Sequence, residues 1–212
     1  MELFVATRNR NKIRELEALL ADTELKVRSY RDFPGAPEVQ ETGQTFAENA
    51  TAKAVTLAEH TGLTTIADDS GLEVDALDGR PGVMSARYAG PNATDIENTE
   101  KLLAELEGVP EPQRTARFRC AIALSTPEGL IDVVEGVCEG RIAAEPRGNE
   151  GFGYDPVFIK DDSVKTFAEL PLEVKNRTSH RGRALEKALM VLEDYLMTRH
   201  NRPPKSQAGG TP

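Results

Sequence analysis

The run IADDSG at residues 66–71 constrains this chain more than any other feature, because it sets carboxylates where a buried apolar strand should be ending. Residues 63–67 read as a short strand, Gly71 as a residue that permits an unusual backbone turn, and Asp68, Asp69 and Ser70 as the mouth between them. Carboxylates in such a place need partners, and the options are a metal ion, a protonated neighbour or a basic substrate. The overall charge narrows the field. Thirty-five Asp and Glu against 26 Lys and Arg leave a formal net charge of −9, which disfavours nucleic acid or an anionic membrane as partner and leaves room for a local basic pocket.

The rest of the chain reads as an α/β protein. Residues 3–6 form an apolar strand, 7–11 a polar loop, and Ile13, Leu16, Leu19 and Leu20 recur at helical spacing. A second strand is expected within 25–30, then a Pro- and Gly-containing loop over 33–43. Thr45 and Glu48 have capping-box spacing ahead of a helix through Ala50, Lys53, Ala54, Leu57 and Ala58. Glycines and prolines make 71–93 mostly loop, and a helix is expected over 95–106. Strands at 118–125 and 130–138 are joined by a hairpin turn, which argues for a mixed sheet and a second lobe over 110–150. A short strand at 157–159, a helical turn at 166–170 and a helix at 183–197 follow, and residues 201–212 read as a disordered tail. Cys120 and Cys138 sit in apolar runs and read as buried structural thiols. No stretch approaches transmembrane length, so a soluble cytoplasmic protein is expected.

Four segments carry chemistry. Thr7, Arg8, Asn9, Arg10, Asn11 and Lys12 lie between a strand and a helix start, where backbone amides, a hydroxyl, an amide and a lysine suit phosphate; a plain polar loop explains them equally well. Asp69 and Glu41 can hold a hard cation that offsets repulsion between carboxylates and a triphosphate, and either acid can activate water. Asp68 is expected to be the structural acid of the adjacent pair. Phe152, Gly153, Tyr154 and Asp155 have the ingredients of a wall for a planar base, or of a tight turn whose aromatics cover the core. Lys175, His180 and Arg181 precede the last helix and can contact phosphates or base carbonyls. His60 and His200 earn no catalytic role, and neither a histidine zinc site nor a Ser-His-Asp nucleophile fits the spacing.

Together these segments resemble the inosine triphosphatase or Ham1-like family of pyrophosphatases acting on damaged purine nucleoside triphosphates. ATRNRNK resembles the family's phosphate loop, ETGQTFAENA its metal-associated segment, and IADDSGLEVDAL with PGVMSARYAG its central motifs; GFGYDPVF and Lys175 with SHRG complete the set. The resemblance implies an elongated two-lobed α/β fold, in which a mixed sheet is flanked by helices and a cleft lies between the lobes. It places residues 1–200 in one pyrophosphatase domain and implies a homodimer. Hydrolysis of ITP, dITP or XTP to the monophosphate and pyrophosphate is implied, with Mg2+ as cofactor. Asp69 falls at the catalytic position, Glu41 and Asp69 at the metal position, and Ser70 at a substrate position. A regulatory nucleotide sensor and a general nucleoside triphosphate pyrophosphatase are the alternatives, which a substrate panel separates.

Overall fold

The computed structural model of the protein describes residues 1–21 and 23–200, with the side chains of 199 and 200 excluded. The tail expected over 201–212 and the side chain of His200 lie outside the described residues. One six-stranded sheet runs in the order β2-β1-β3-β4-β5-β6 among them. Its strands are β1 (Glu2–Val5), β2 (Lys26–Arg28), β3 (Thr64–Val74), β4 (Thr115–Thr126), β5 (Gly129–Ile142) and β6 (Phe158–Lys160). The β2-β1-β3 pairings are parallel and β3-β4-β5-β6 antiparallel, so the sheet is mixed as expected. Helices are α1 (Arg10–Leu20), α2 (Phe46–Thr61), α3 (Asp95–Glu105), α4 (Leu172–Thr178) and α5 (His180–His200).

The helix ends follow local chemistry. Asn9 caps α1, its side chain accepting from the amides of Asn11 and Lys12. Thr45 caps α2 through the Glu48 amide, but the Glu48 carboxylate turns to the amide of Gln44 at 2.7 Å, so only half of the expected capping box forms. Gly62, at φ 70°, ends α2 and returns its amide to Ala58. A complete capping box opens α3, from Thr94 and Glu97.

Alternation along β3 and β4 builds two cores. On one face Leu3, Ile66, Cys120, Ile122 and Leu124 pack against Leu16 and Leu20 of α1 and Ala184, Leu185, Ala188 and Leu192 of α5. On the other, Ala67, Ala121 and Ala123 meet Ala50, Ala54 and Leu57 of α2, and small residues on both sides let helix and sheet approach closely. The far ends of the same strands carry a third core, in which Leu72, Val74 and Phe118 pack with Leu102 and Leu106 of α3 and with Tyr154, Phe158 and Phe167. The second lobe therefore draws on residues from 72 to 167, wider than the expected 110–150. Both thiols are buried and free, and burial is the main cause that pushes Cys120 up to about 12 and Cys138 up to about 11.

β3 does not end at residue 67; β4 pairs with it from Thr65↔Ser125 to Val74↔Ala116, so the carboxylates sit inside the strand with backbone bonds satisfied on the β4 side. Gly71 makes no turn. A Cβ there would lie 2.4 Å from Ser85 Oγ and 2.5 Å from the Gly82 carbonyl, so the missing side chain serves close approach of the 3-10 segment Gly82–Arg87 to the strand. The last helix also starts earlier than expected, at His180, with the unexpected α4 immediately before it.

Gly136 of β5 sets how closely α5 docks, since a Cβ would fall 2.1 Å from the His180 carbonyl and 2.5 Å from the Ala184 amide. Gly136→Ala should lower unfolding free energy by about 1–3 kcal/mol, read as a fall in urea midpoint at unchanged m-value.

Candidate active site

The strands pass from one core to the next at residues 68–71, and there the cleft opens. It is a cavity of about 660 Å³. Of the residues expected at the site, Thr7, Arg8, Asn9, Lys12, Glu41, Asp69, Ser70, Phe152, Gly153, Tyr154, Asp155, Lys175, His180 and Arg181 all line it. Arg10 and Asn11 do not; they are the first exposed residues of α1. Three of the amides expected to meet an anion are already taken, those of Asn11 and Lys12 by the Asn9 side chain and that of Asn9 by Thr7 Oγ1 at 3.2 Å.

Strand alternation sends the adjacent aspartates to opposite faces. Asp68 is buried toward α1 and α5, with Oδ2 at 2.9 Å from Lys12 Nζ and 3.4 Å from Arg181 Nε. Burial alone would raise its carboxyl, but Lys12, Arg181 and Lys53 outweigh that and hold it well below the usual range. Asp69 is buried toward α2. Its Oδ2 accepts from Asn49 Nδ2 at 2.9 Å and its Oδ1 from the Ser70 amide at 2.9 Å. Here desolvation prevails over Lys53 and Lys12, and the carboxyl is raised. The two neighbouring carboxyls are thus shifted in opposite directions, Asp68 toward the anion and Asp69 toward the protonated form.

Lys53 of α2 joins the two walls, donating to Glu41 Oε1 and to the Asp68 carbonyl, each at 2.6 Å. Among the described residues no group of three or more His, Cys, Asp and Glu is arranged to hold a metal. Glu41 and Asp69 do line the same cavity. Two carboxylates fit magnesium, a hard cation that completes its shell with phosphate oxygens and water, and do not form a cage for it.

At the other end, Lys175 is buried between Glu15 at 2.8 Å and Asp155 at 2.5 Å, with Phe152 4.9 Å below its ammonium. Arg181 pairs with Glu15 and donates to Ser70 Oγ at 2.9 Å. Asp155 also accepts the Phe152 amide at 2.8 Å, which fixes the loop. His180 is buried and stacks on Phe118 with ring centroids 4.6 Å apart, leaving Nδ1 without a partner. Burial first, then Arg181, Lys175 and Lys12, push its pKa well below the ordinary value, so the imidazole is neutral at pH 7. Phe152 remains half-exposed in the cleft, whereas Tyr154 is a core residue whose hydroxyl donates to the Ser85 carbonyl at 2.9 Å. Of the two rings expected to wall a base, only Phe152 is free to stack.

Glu15, Asn49 and Lys53 were not among the residues expected at the site. The available signal was a charge or amide within an apolar helical stripe, as with Lys53 between Ala50 and Ala54.

The Ham1 family model matches residues 3–191. The chain is 54% identical over 192 residues to a dITP/XTP pyrophosphatase of Desulforamulus reducens, covering 91% of this chain and 96% of the relative. It is 55% identical over 194 residues to one of Geobacter sulfurreducens, covering 92% and 96%. Among solved structures, a HAM1 protein from Coxiella burnetii superposes with a TM-score of 0.83 at 46% identity, covering 92% of this chain and 99% of that one. A nucleoside-triphosphatase / dITP/XTP pyrophosphatase from Mycobacterium abscessus gives 0.73 at 48% identity, covering 89% and 99%.

The opposed charges make stability depend on acid in two windows. His180, depressed in the fold, loses stability as pH falls below about 6.5, because the unfolded chain binds a proton the fold refuses. Asp68, also depressed, contributes stability that is present above its unfolded value of about 3.9 and lost as pH falls through its lower folded value. Asp68→Asn should cost about 3–5 kcal/mol at pH 7 and make the second window shallower, as measured by urea unfolding across pH.

Proposed function

This chain belongs to the Ham1 family, and we propose from that membership and its cleft that it hydrolyses dITP, XTP and ITP to the nucleoside monophosphate and pyrophosphate. Such an activity clears damaged purines from the nucleotide pool. The observation that carries it is the gathering of two sets of residues in one cavity: Asp69, Glu41, Lys12 and Lys53 suit phosphate and metal, and Phe152, His180 and Arg181 suit a purine.

Each residue then has a physical role. Asn49 and the Ser70 amide aim the Asp69 carboxylate into the cavity, where it can orient or accept a proton from the attacking water. Lys53 holds Glu41 in place before substrate arrives. Glu41 and Asp69 would hold magnesium, which when bound supplies neutralisation of phosphate charge. Phe152 offers the purine a face, and the neutral His180 and the fixed Arg181 offer its edge donors matched to a 6-oxo group. Residues 1–200 act in this reading as one two-lobed unit, in the cytoplasm, as a homodimer; among the described residues no helix is long and apolar enough to cross a membrane.

Chromatography of an early dITP reaction should show the monophosphate and pyrophosphate together, and accumulation of a diphosphate intermediate would overturn the reaction. In the same assay Asp69→Asn should lower kcat by about 10²-fold or more while the fold persists. Sedimentation over a dilution series should give twice the monomer mass, and a monomer throughout would remove the dimer.

A further inference from the structure

The run SARYAG at 85–90 has no part in the chemistry above, yet the fold pins most of it. Ser85 Oγ accepts the Leu72 amide at 2.9 Å and donates to the Gly82 carbonyl at 2.6 Å. The Ala86 carbonyl and the Ala89 amide meet the side chain of Asn98 at 3.3 and 2.8 Å, and the Tyr88 hydroxyl donates to Glu105 at 2.6 Å. Arg87 differs. Its side chain lines the cavity and reaches the opposite wall at Glu41, where Nη2 donates to the backbone carbonyl at 3.2 Å and Nη1 stays 3.7 Å from the carboxylate.

The other cations of the cleft are more firmly committed. Lys12 lies 2.9 Å from Asp68, Lys53 2.6 Å from Glu41, and Lys175 and Arg181 are buried against Glu15. Arg8 lies over the Tyr30 ring at 4.3 Å. The Arg87 carboxylate contact is beyond hydrogen-bond reach, so its guanidinium fork is held by one backbone carbonyl and keeps donors in reserve. Glu41 keeps Lys53 as partner when Arg87 leaves. A guanidinium so placed has the geometry and the spare donors to grip phosphate oxygens.

We propose that Arg87 is a further phosphate-binding residue, which exchanges its hold on Glu41 for the polyphosphate of the substrate and so contacts it from the wall opposite the N-terminal loop. This rests on the reading of the cleft as a triphosphate site.

Titration calorimetry with inorganic pyrophosphate and with inosine, both without magnesium, tests it on wild type, Arg87→Ala and Arg87→Lys, with thermal midpoints to establish folding. Arg87→Ala should bind pyrophosphate about 10- to 100-fold more weakly and inosine equally well, with Arg87→Lys between. The same loss should persist in a Glu41→Gln background. Unchanged pyrophosphate affinity, or a loss that vanishes in that background, would overturn the proposal and leave Arg87 as a residue that positions Glu41. A wild-type protein that cleaves no purine triphosphate would overturn the underlying reading instead.

Discussion

Arg181 and Lys175 can face the cleft because Glu15 of α1 is buried against both. That carboxylate is the middle of a buried chain: Lys12 to Asp68, Asp68 to Arg181, Arg181 to Glu15, Glu15 to Lys175, Lys175 to Asp155. Its three cations and three anions balance, which is the condition for burying so many charges at all. Each link also ties a different element, so α1, β3, α4, α5 and the loop at 151–156 are fixed relative to one another by one network. Removing any single member strands a partner away from water, and the energetic consequence is far larger than for a surface pair.

The balance shapes the cleft as well. Lys175 and Arg181 are neutralised from within by Glu15 and Asp155, so they present oriented donors with little net field. Arg87, by contrast, has no carboxylate in hydrogen-bond reach and keeps its charge available to a polyanion. A chain of formal charge −9 can therefore receive an anion through a small basic lining.

Much of this was visible in the residues alone. Apolar spacing located α1, the capping spacing of Thr45 and Glu48 located α2, and the Pro- and Gly-containing turn located the β4-β5 hairpin, because each of these signals is local in the sequence. The end of β3 was misread because polar side chains inside a strand look like a loop until the pairing strand is known; β4 supplies that pairing from across the sequence. The sequence ranked Asp68 as the structural acid and Asp69 as the participant, and the opposite faces of β3 supply the physical reason they differ. Glu15 was hidden for a similar reason: its partners lie about 160 residues away, so no local pattern marks it as buried. Tyr154 shows the converse, an aromatic in a motif that serves the core.

The placement of two aspartates in mid-strand also affects how this sequence can change in length. Loops tolerate added or lost residues because no side chain there depends on parity. In β3 parity decides everything downstream: a single deletion between Thr64 and Ala67 would carry Asp69 toward Lys12 and Arg181 and bring Ser70 against Asn49. The site would keep its composition and exchange its electrostatics. Substitutions here can be graded by chemistry, but insertions and deletions cannot; β3 acts as a ruler whose marks are two residues apart, and its length is inherited as a unit with the chemistry it carries.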